Sequence, residues 1–129
     1  MTAAERAVWE DGEGSFGFYS ARSVYMIRTF QANREILEDY REGARIDEVE
    51  CSLITEHRHK TRRFRYDSTI YYTQISGIRN VVRELQLTSP WRRHPEKLKR
   101  IESLKETLEA QGNHGQKKMR EALEVLETL

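Results

Sequence analysis

The densest chemistry in the sequence is cationic. Arg58, Lys60, Arg62, Arg63 and Arg65 fall within the run His57-Arg58-His59-Lys60-Thr61-Arg62-Arg63-Phe64-Arg65-Tyr66. Guanidinium groups grip phosphate oxygens two at a time, and interleaved rings such as Phe64 and Tyr66 can stack on bases or wedge between them. A second cluster, Arg92, Arg93, Lys97, Lys99 and Arg100, repeats the pattern around one acid, Glu96. Segments 57–65 and 92–100 hold ten of the chain's 22 Lys and Arg residues, yet the net charge is only +1. The rest of the chain is therefore acidic, the pattern expected of a protein that meets an anionic partner with part of its surface. The competing reading makes the first run a solvated connection whose arginines pair with the acidic remainder.

Other chemistries find less support in the residues. Gly12-Glu13-Gly14-Ser15-Phe16-Gly17 has the spacing of a nucleotide-covering glycine loop, but no lysine on a following strand and no pair of catalytic aspartates accompany it. A flexible loop is the simpler reading. Cys51, His57 and His59 are zinc-ligand types, but a structural site needs four ligands and His94 and His114 are far away in sequence. No nucleophile, base and acid stand at a telling spacing, so the expectation is a binding protein without catalytic residues, cofactor or metal.

The elements that would position the cationic runs follow from periodicity. With 129 residues, one domain is expected. At 37% hydrophobic and 33% charged its core is thin, which favours a homo-oligomer. Residues 1–18 are expected to form a flexible N-terminal arm ending in the glycine-rich loop, 19–93 a helical core, and 94–129 a C-terminal helical hairpin. Met26, Phe30, Leu37 and Tyr40 predict a helix from about Ser20 to Glu42, closed by Gly43. Residues 46–56 suit a helix through Ile46, Val49 and Leu53, or a strand through Val49, Cys51 and Leu53, with helix slightly favoured. Tyr71, Ile75, Ile78, Val82 and Leu85 predict a second long helix from Asp67 or Ser68 to about Leu87, stopped at Ser89-Pro90. Leu98, Ile101, Leu104 and Leu108 mark a helix after His94-Pro95, broken at Gly112-Asn113-His114-Gly115. Met119, Leu123, Leu126 and Leu129 mark the last helix. The fold class expected is mainly α: two long core helices joined by a basic connection, in which a short β-hairpin could form, plus the C-terminal hairpin. Met26, Phe30, Leu37 and Tyr40, with Leu104, Leu108, Leu123 and Leu126, are candidate oligomer or partner surfaces, with core as the alternative. No apolar run is long enough for a membrane span or a signal peptide, and the lone Cys51 points to a reducing, cytoplasmic setting.

The stretch Glu84-Leu85-Gln86-Leu87-Thr88-Ser89-Pro90-Trp91-Arg92-Arg93 resembles the close of the core region in small terminase subunits of tailed phages, and the resemblance extends in outline over residues 24–93. It implies a non-enzymatic, ring-forming protein that recognises viral double-stranded DNA and delivers it to a large packaging subunit. The arginines and lysines of 58–65 and 92–100 would then contact the DNA backbone. A small protein-binding adaptor or inhibitor, whose basic segment meets an acidic protein, is the alternative.

Overall fold

The computed structural model describes residues 1–63, 65–111 and 116–129. It is a mixed α/β fold, not a mainly helical one. Helix α1 (Ala3–Glu13) leads into strand β1 (Gly14–Tyr19), a short 3-10 turn (Ser20–Arg22) and strand β2 (Val24–Phe30). Helix α2 (Arg34–Ile46) leads into strands β3 (Ser52–Arg58) and β4 (Ser68–Ser76). Helix α3 (Ile78–Thr88), a 3-10 turn (Ser89–Trp91), helix α4 (Pro95–Gln111) and helix α5 (Lys117–Leu126) complete the chain. The four strands form one antiparallel sheet in the order β1-β2-β4-β3. A helix–hairpin unit thus occurs twice, and the second strand of each unit is an inner strand of the sheet. The repetition is one of topology, without a sequence repeat.

The expected helix over 20–42 is replaced by the 3-10 turn, β2 and the first part of α2. Tyr25, Ile27 and Thr29 are buried while their neighbours are half-exposed, a period of two that suits a strand with one covered face. Gly43 does not end α2. It is a buried interior position whose missing side chain admits the backbone of Met1, since a Cβ there would lie 1.9 Å from the Met1 carbonyl oxygen. The segment 46–56, expected to lean to helix, turns after Ile46 through Glu48 at φ 61 and becomes β3 from Ser52. The second expected long helix is β4 followed by α3. Thr69, Ile70, Tyr71, Tyr72, Thr73 and Ile75 are β-branched or aromatic and pack well on a pleated surface. Gly77, at φ 89, makes the corner before α3, a conformation open to glycine at little cost.

The N-terminal arm expected over 1–18 is ordered structure. Thr2 opens α1 with a capping box, in which its hydroxyl accepts from the Glu5 N–H while the Glu5 carboxylate accepts from the Thr2 N–H. The glycine-rich loop is the end of α1 and β1. Helix α4 begins where expected, with Pro95 as its first residue, and α5 carries Met119, Leu123 and Leu126. The expected break at Gly112-Asn113-His114-Gly115 lies outside the described residues. Helices α1, α2 and α3 lie on one face of the sheet, and the core runs from Phe16, Tyr25, Ile27 and Ile75 through Val81, Val82 and Leu85 to Leu104, Met119 and Leu126. Among the described residues no helix is long and apolar enough to cross a membrane. Ile75 is fully buried on a central strand beneath these helices. Ile75→Ala should therefore lower unfolding free energy by about 2–5 kcal/mol in urea titration, whereas a loss below about 1 kcal/mol would contradict this sheet.

Candidate nucleic-acid interface

The first basic run sits on a projecting hairpin. β3 and β4 pair from Ser52↔Gln74 to Arg58↔Ser68, whereas β2 pairs with β4 only between Ser76 and Tyr72. The pairs from Thr55↔Tyr71 to Arg58↔Ser68 therefore continue beyond β2 as a two-stranded ribbon, roughly 13 Å long at about 3.3 Å per residue. On one of its faces His57 Nδ1 lies 2.9 Å from Thr69 Oγ1, and on the other Arg58 Nε donates to Glu56 at 3.2 Å. The connection carried by this ribbon is exposed at every described position. Asp67 closes it by accepting from the Lys60 backbone N–H at 2.5 Å, and the Thr61 hydroxyl accepts from the Arg63 N–H at 3.2 Å. Lys60, Arg62 and Arg65 form no ion pair among the described residues, and the Tyr66 ring is 78% exposed. Phe64, expected to stack, lies outside the described residues.

The ribbon continues into the sheet face that carries no helix. There the Arg28 guanidinium lies 5.1 Å from the centroid of the Tyr72 ring and its Nε donates to Gln74 at 2.9 Å. Phe30 packs against Tyr72 at 5.1 Å between centroids. Met26 and Phe30, two of the candidate assembly residues, are half-buried on this face. Leu123 is also half-buried, on α5. The other five, Leu37, Tyr40, Leu104, Leu108 and Leu126, are buried inside the single chain.

The second basic cluster does not make a comparable surface. Arg92 is 3% exposed and belongs to a buried ionic network. Its Nη2 donates to Glu10 at 2.6 Å and to the Thr88 hydroxyl at 2.7 Å, while Nη1 donates to Asp11 at 3.0 Å. Arg93 turns its guanidinium onto the Pro90 and Arg92 carbonyls, Lys97 lies 5.9 Å from the Phe16 ring centroid, and Arg100 donates to the Phe16 carbonyl at 3.1 Å. Lys99 remains an exposed cation on α4. Arg92 is thus corrected from a phosphate contact to a core residue. The physical reason is that the turn after α3 carries it against the acidic end of α1.

The rest of that network escapes a reading by composition. Arg6 donates to both Glu84 oxygens through Nε at 3.1 and 3.0 Å, and Nη2 reaches Glu84 and Asp47, each at 2.8 Å. The Tyr40 hydroxyl donates to Glu10 at 2.5 Å. Arg6, Glu10 and Glu84 are all sealed from solvent. The signal available in the sequence is Glu84 itself, a carboxylate set among Val81, Val82, Leu85 and Thr88 on the buried stripe of α3. Burial raises the Glu10 carboxyl to about 8, with help from the neighbouring Glu84 and against Arg92 and Tyr40. Burial also works against the Asp11 carboxylate, but the Arg93 N–H, the Arg92 guanidinium and the His94 N–H outweigh it and lower Asp11. Cys51 is pushed up to about 12, first by burial, so its thiol is protonated and unreactive near neutral pH.

No protein-family model matches this chain, and neither a curated protein nor a solved structure is significantly similar to it. Among the described residues no group of three or more His, Cys, Asp or Glu is placed to hold a metal ion.

Because Glu10 holds its proton more tightly in the fold, stability should fall as pH rises from about 4.5 to about 8. Asp11 acts in the opposite sense, adding stability above its ordinary value of 3.8 that is lost as pH falls. Glu10→Gln removes the first effect alone. Urea midpoints measured from pH 5 to pH 8 should decline in the natural protein relative to Glu10→Gln, and parallel curves would contradict the assignment.

Proposed function

We propose that this protein binds double-stranded DNA without catalysing a reaction on it, presenting the β3–β4 ribbon to a groove and gripping the flanking phosphates with Lys60, Arg62 and Arg65. The observation that carries the reading is the projection of the ribbon beyond β2 with an exposed cationic connection at its end. A two-stranded ribbon fits the major groove, which is about 12 Å wide. In that pose the loop cations position the duplex, and Ser68, on the ribbon face that continues into Tyr72 and Arg28, is turned toward base edges or sugars, while His57 and Thr69 lie on the opposite face. The Arg28–Tyr72 pair and Phe30 form the floor from which the ribbon rises.

Of the small-terminase resemblance, this reading keeps recognition of duplex DNA in the cytoplasm and delivery of it to a larger protein partner. The two long helices that carried the outline of the resemblance are divided between strands and helices in this fold, and Arg92 is withdrawn from the contact set. The DNA-binding residues proposed are Lys60, Arg62 and Arg65, with Arg58 and Arg63 in support from the same hairpin.

Charge reversal tests the reading. Lys60→Glu, Arg62→Glu and Arg65→Glu together should weaken binding of a short labelled duplex by at least about tenfold. They should also reduce the slope of log affinity against log salt by about 2 to 3, as expected when three phosphate contacts are lost. Fluorescence anisotropy across a salt series measures both quantities. Unchanged affinity and slope would contradict the proposal.

A further inference from the structure

The sheet has two edge strands, and the fold treats them differently. Along β1, α4 packs against the strand, Arg100 donates to the Phe16 carbonyl at 3.1 Å, and Lys97 lies over the Phe16 ring. Strand β3 ends the sheet with no strand beyond it. Among the described residues, Ser52–Arg58 forms backbone–backbone hydrogen bonds with β4 alone, so every second residue turns an N–H and a C=O outward. The devices that blunt a free edge are missing from it. The strand holds no proline, glycine or lysine, and its register with β4 runs without a bulge from Ser52 to Arg58. Its carboxylate and guanidinium, Glu56 and Arg58, meet each other at 3.2 Å, and Leu53 and Ile54 stand half-buried.

What completes such an edge is another extended strand, and β3 is complementary to itself. In an antiparallel pairing centred on Ile54, that residue meets the partner's Ile54 on the open face of the sheet, where Tyr72 lies beside it. On the same face Ser52 meets the partner's Glu56, and Glu50, exposed just before the strand, meets the partner's Arg58. Leu53 meets the partner's Thr55 on the other face. Apolar thus stands opposite apolar, and each carboxylate stands opposite a hydroxyl or a guanidinium. Moving the centre one residue back sets Glu50 against the partner's Glu56, and moving it one residue on sets Ile54 against the same carboxylate.

We propose that two copies of this chain join through β3, merging their four-stranded sheets into one continuous sheet with both open faces on the same side. The partner's Glu50 marks the end of the pairing opposite Arg58, so the hairpin tips from residue 59 onward stay clear of it. Four residues separate Ile54 from Arg58 on each copy. The two Arg58 positions are then roughly 26 Å apart along the strands, and the two Lys60 positions at most about 40 Å, at about 3.3 Å per residue. One turn of duplex, about 34–36 Å, falls between these spans. The dimer stands on the strand alone, whereas this spacing of two half-sites rests on the DNA reading above.

Sedimentation equilibrium of the full chain, without DNA, should fit a monomer–dimer equilibrium built on a chain mass of 15.3 kDa. Ile54→Lys sets two ammonium groups opposite each other and should raise the dimer dissociation constant at least about tenfold, with the melting temperature of the dilute monomer unchanged. Disulfide trapping reads the register. In a Cys51→Ala chain, Ile54→Cys should cross-link two copies under mild oxidation, because directly opposed Cβ atoms stand about 4.5–5.5 Å apart. Ser52→Cys should not, since its two copies would lie about 13 Å apart. A chain that stays monomeric across the concentration series, or a dimer that Ile54→Lys leaves unchanged, would overturn the interface. Cross-linking at Ser52 in preference to Ile54 would overturn the pairing on which it rests. None of these measurements contains DNA, so their failure leaves the duplex contacts standing, and loss of duplex binding leaves the dimer standing.

Discussion

Two arginines and two glutamates shut away from water hold this fold in one arrangement. Arg6 joins α1 to Glu84 on α3 and Asp47 after α2, while Arg92 joins the turn after α3 back to Glu10 and Asp11 on α1. Tyr40 brings α2 into the same network through its hydroxyl. Buried pairs of this kind add little net stability compared with well-packed apolar residues, because desolvation offsets most of the Coulomb attraction. Their effect is directional. An apolar interface tolerates sliding, but a guanidinium held by three acceptors permits one angle and one register. The helix layer is therefore fixed as a unit beneath the sheet, and the outer sheet face and the β3–β4 ribbon are left to face solvent.

The same constraint divides the two basic clusters, which look equivalent by composition. The hairpin cluster is carried beyond the packed layer, so the side chains of its Lys60, Arg62 and Arg65 form no ion pair among the described residues. The other begins at the turn that α1 captures, where Asp11 accepts from the Arg93 and His94 N–H groups at 2.7 and 3.1 Å. Its first arginine is consumed by structure, Arg93 turns back onto the carbonyls of the same turn, and Lys97, Lys99 and Arg100 lie on α4, where Lys97 and Arg100 meet Phe16 of β1. One cationic cluster is thus left on an exposed hairpin, where the proposed phosphate contacts lie, and the other is built in part into the fold.

Much of the helical part of the fold is legible in the sequence. Pro95 and the leucine spacing locate α4, and Met119, Leu123 and Leu126 locate α5, because these segments present one apolar edge with no β-branched run to compete. The strands were hidden by coincidence. Met26 and Phe30 stand four apart on the open face of β2, and Tyr71 and Ile75 stand four apart on β4, so alternation within a strand reproduced the spacing of a helix. Runs rich in Val, Ile, Thr, Tyr and Phe, and Gly77 at the corner, carried the contrary signal. The position of the basic run was readable as a connection between elements, and the hairpin alternative for it describes what the chain does. The fate of Arg92 was not readable, because its partners lie more than 80 positions away at Glu10 and Asp11.

The proposed function rests most directly on whether duplex DNA binds, and where. Amide chemical shifts followed by NMR while a duplex oligonucleotide is added would map that surface. Binding through the ribbon predicts perturbations concentrated at residues 57–69 and fading across Arg28 and Phe30, with α4 and α5 unmoved. Perturbations centred on α4 and α5, or none at saturating duplex, would contradict it.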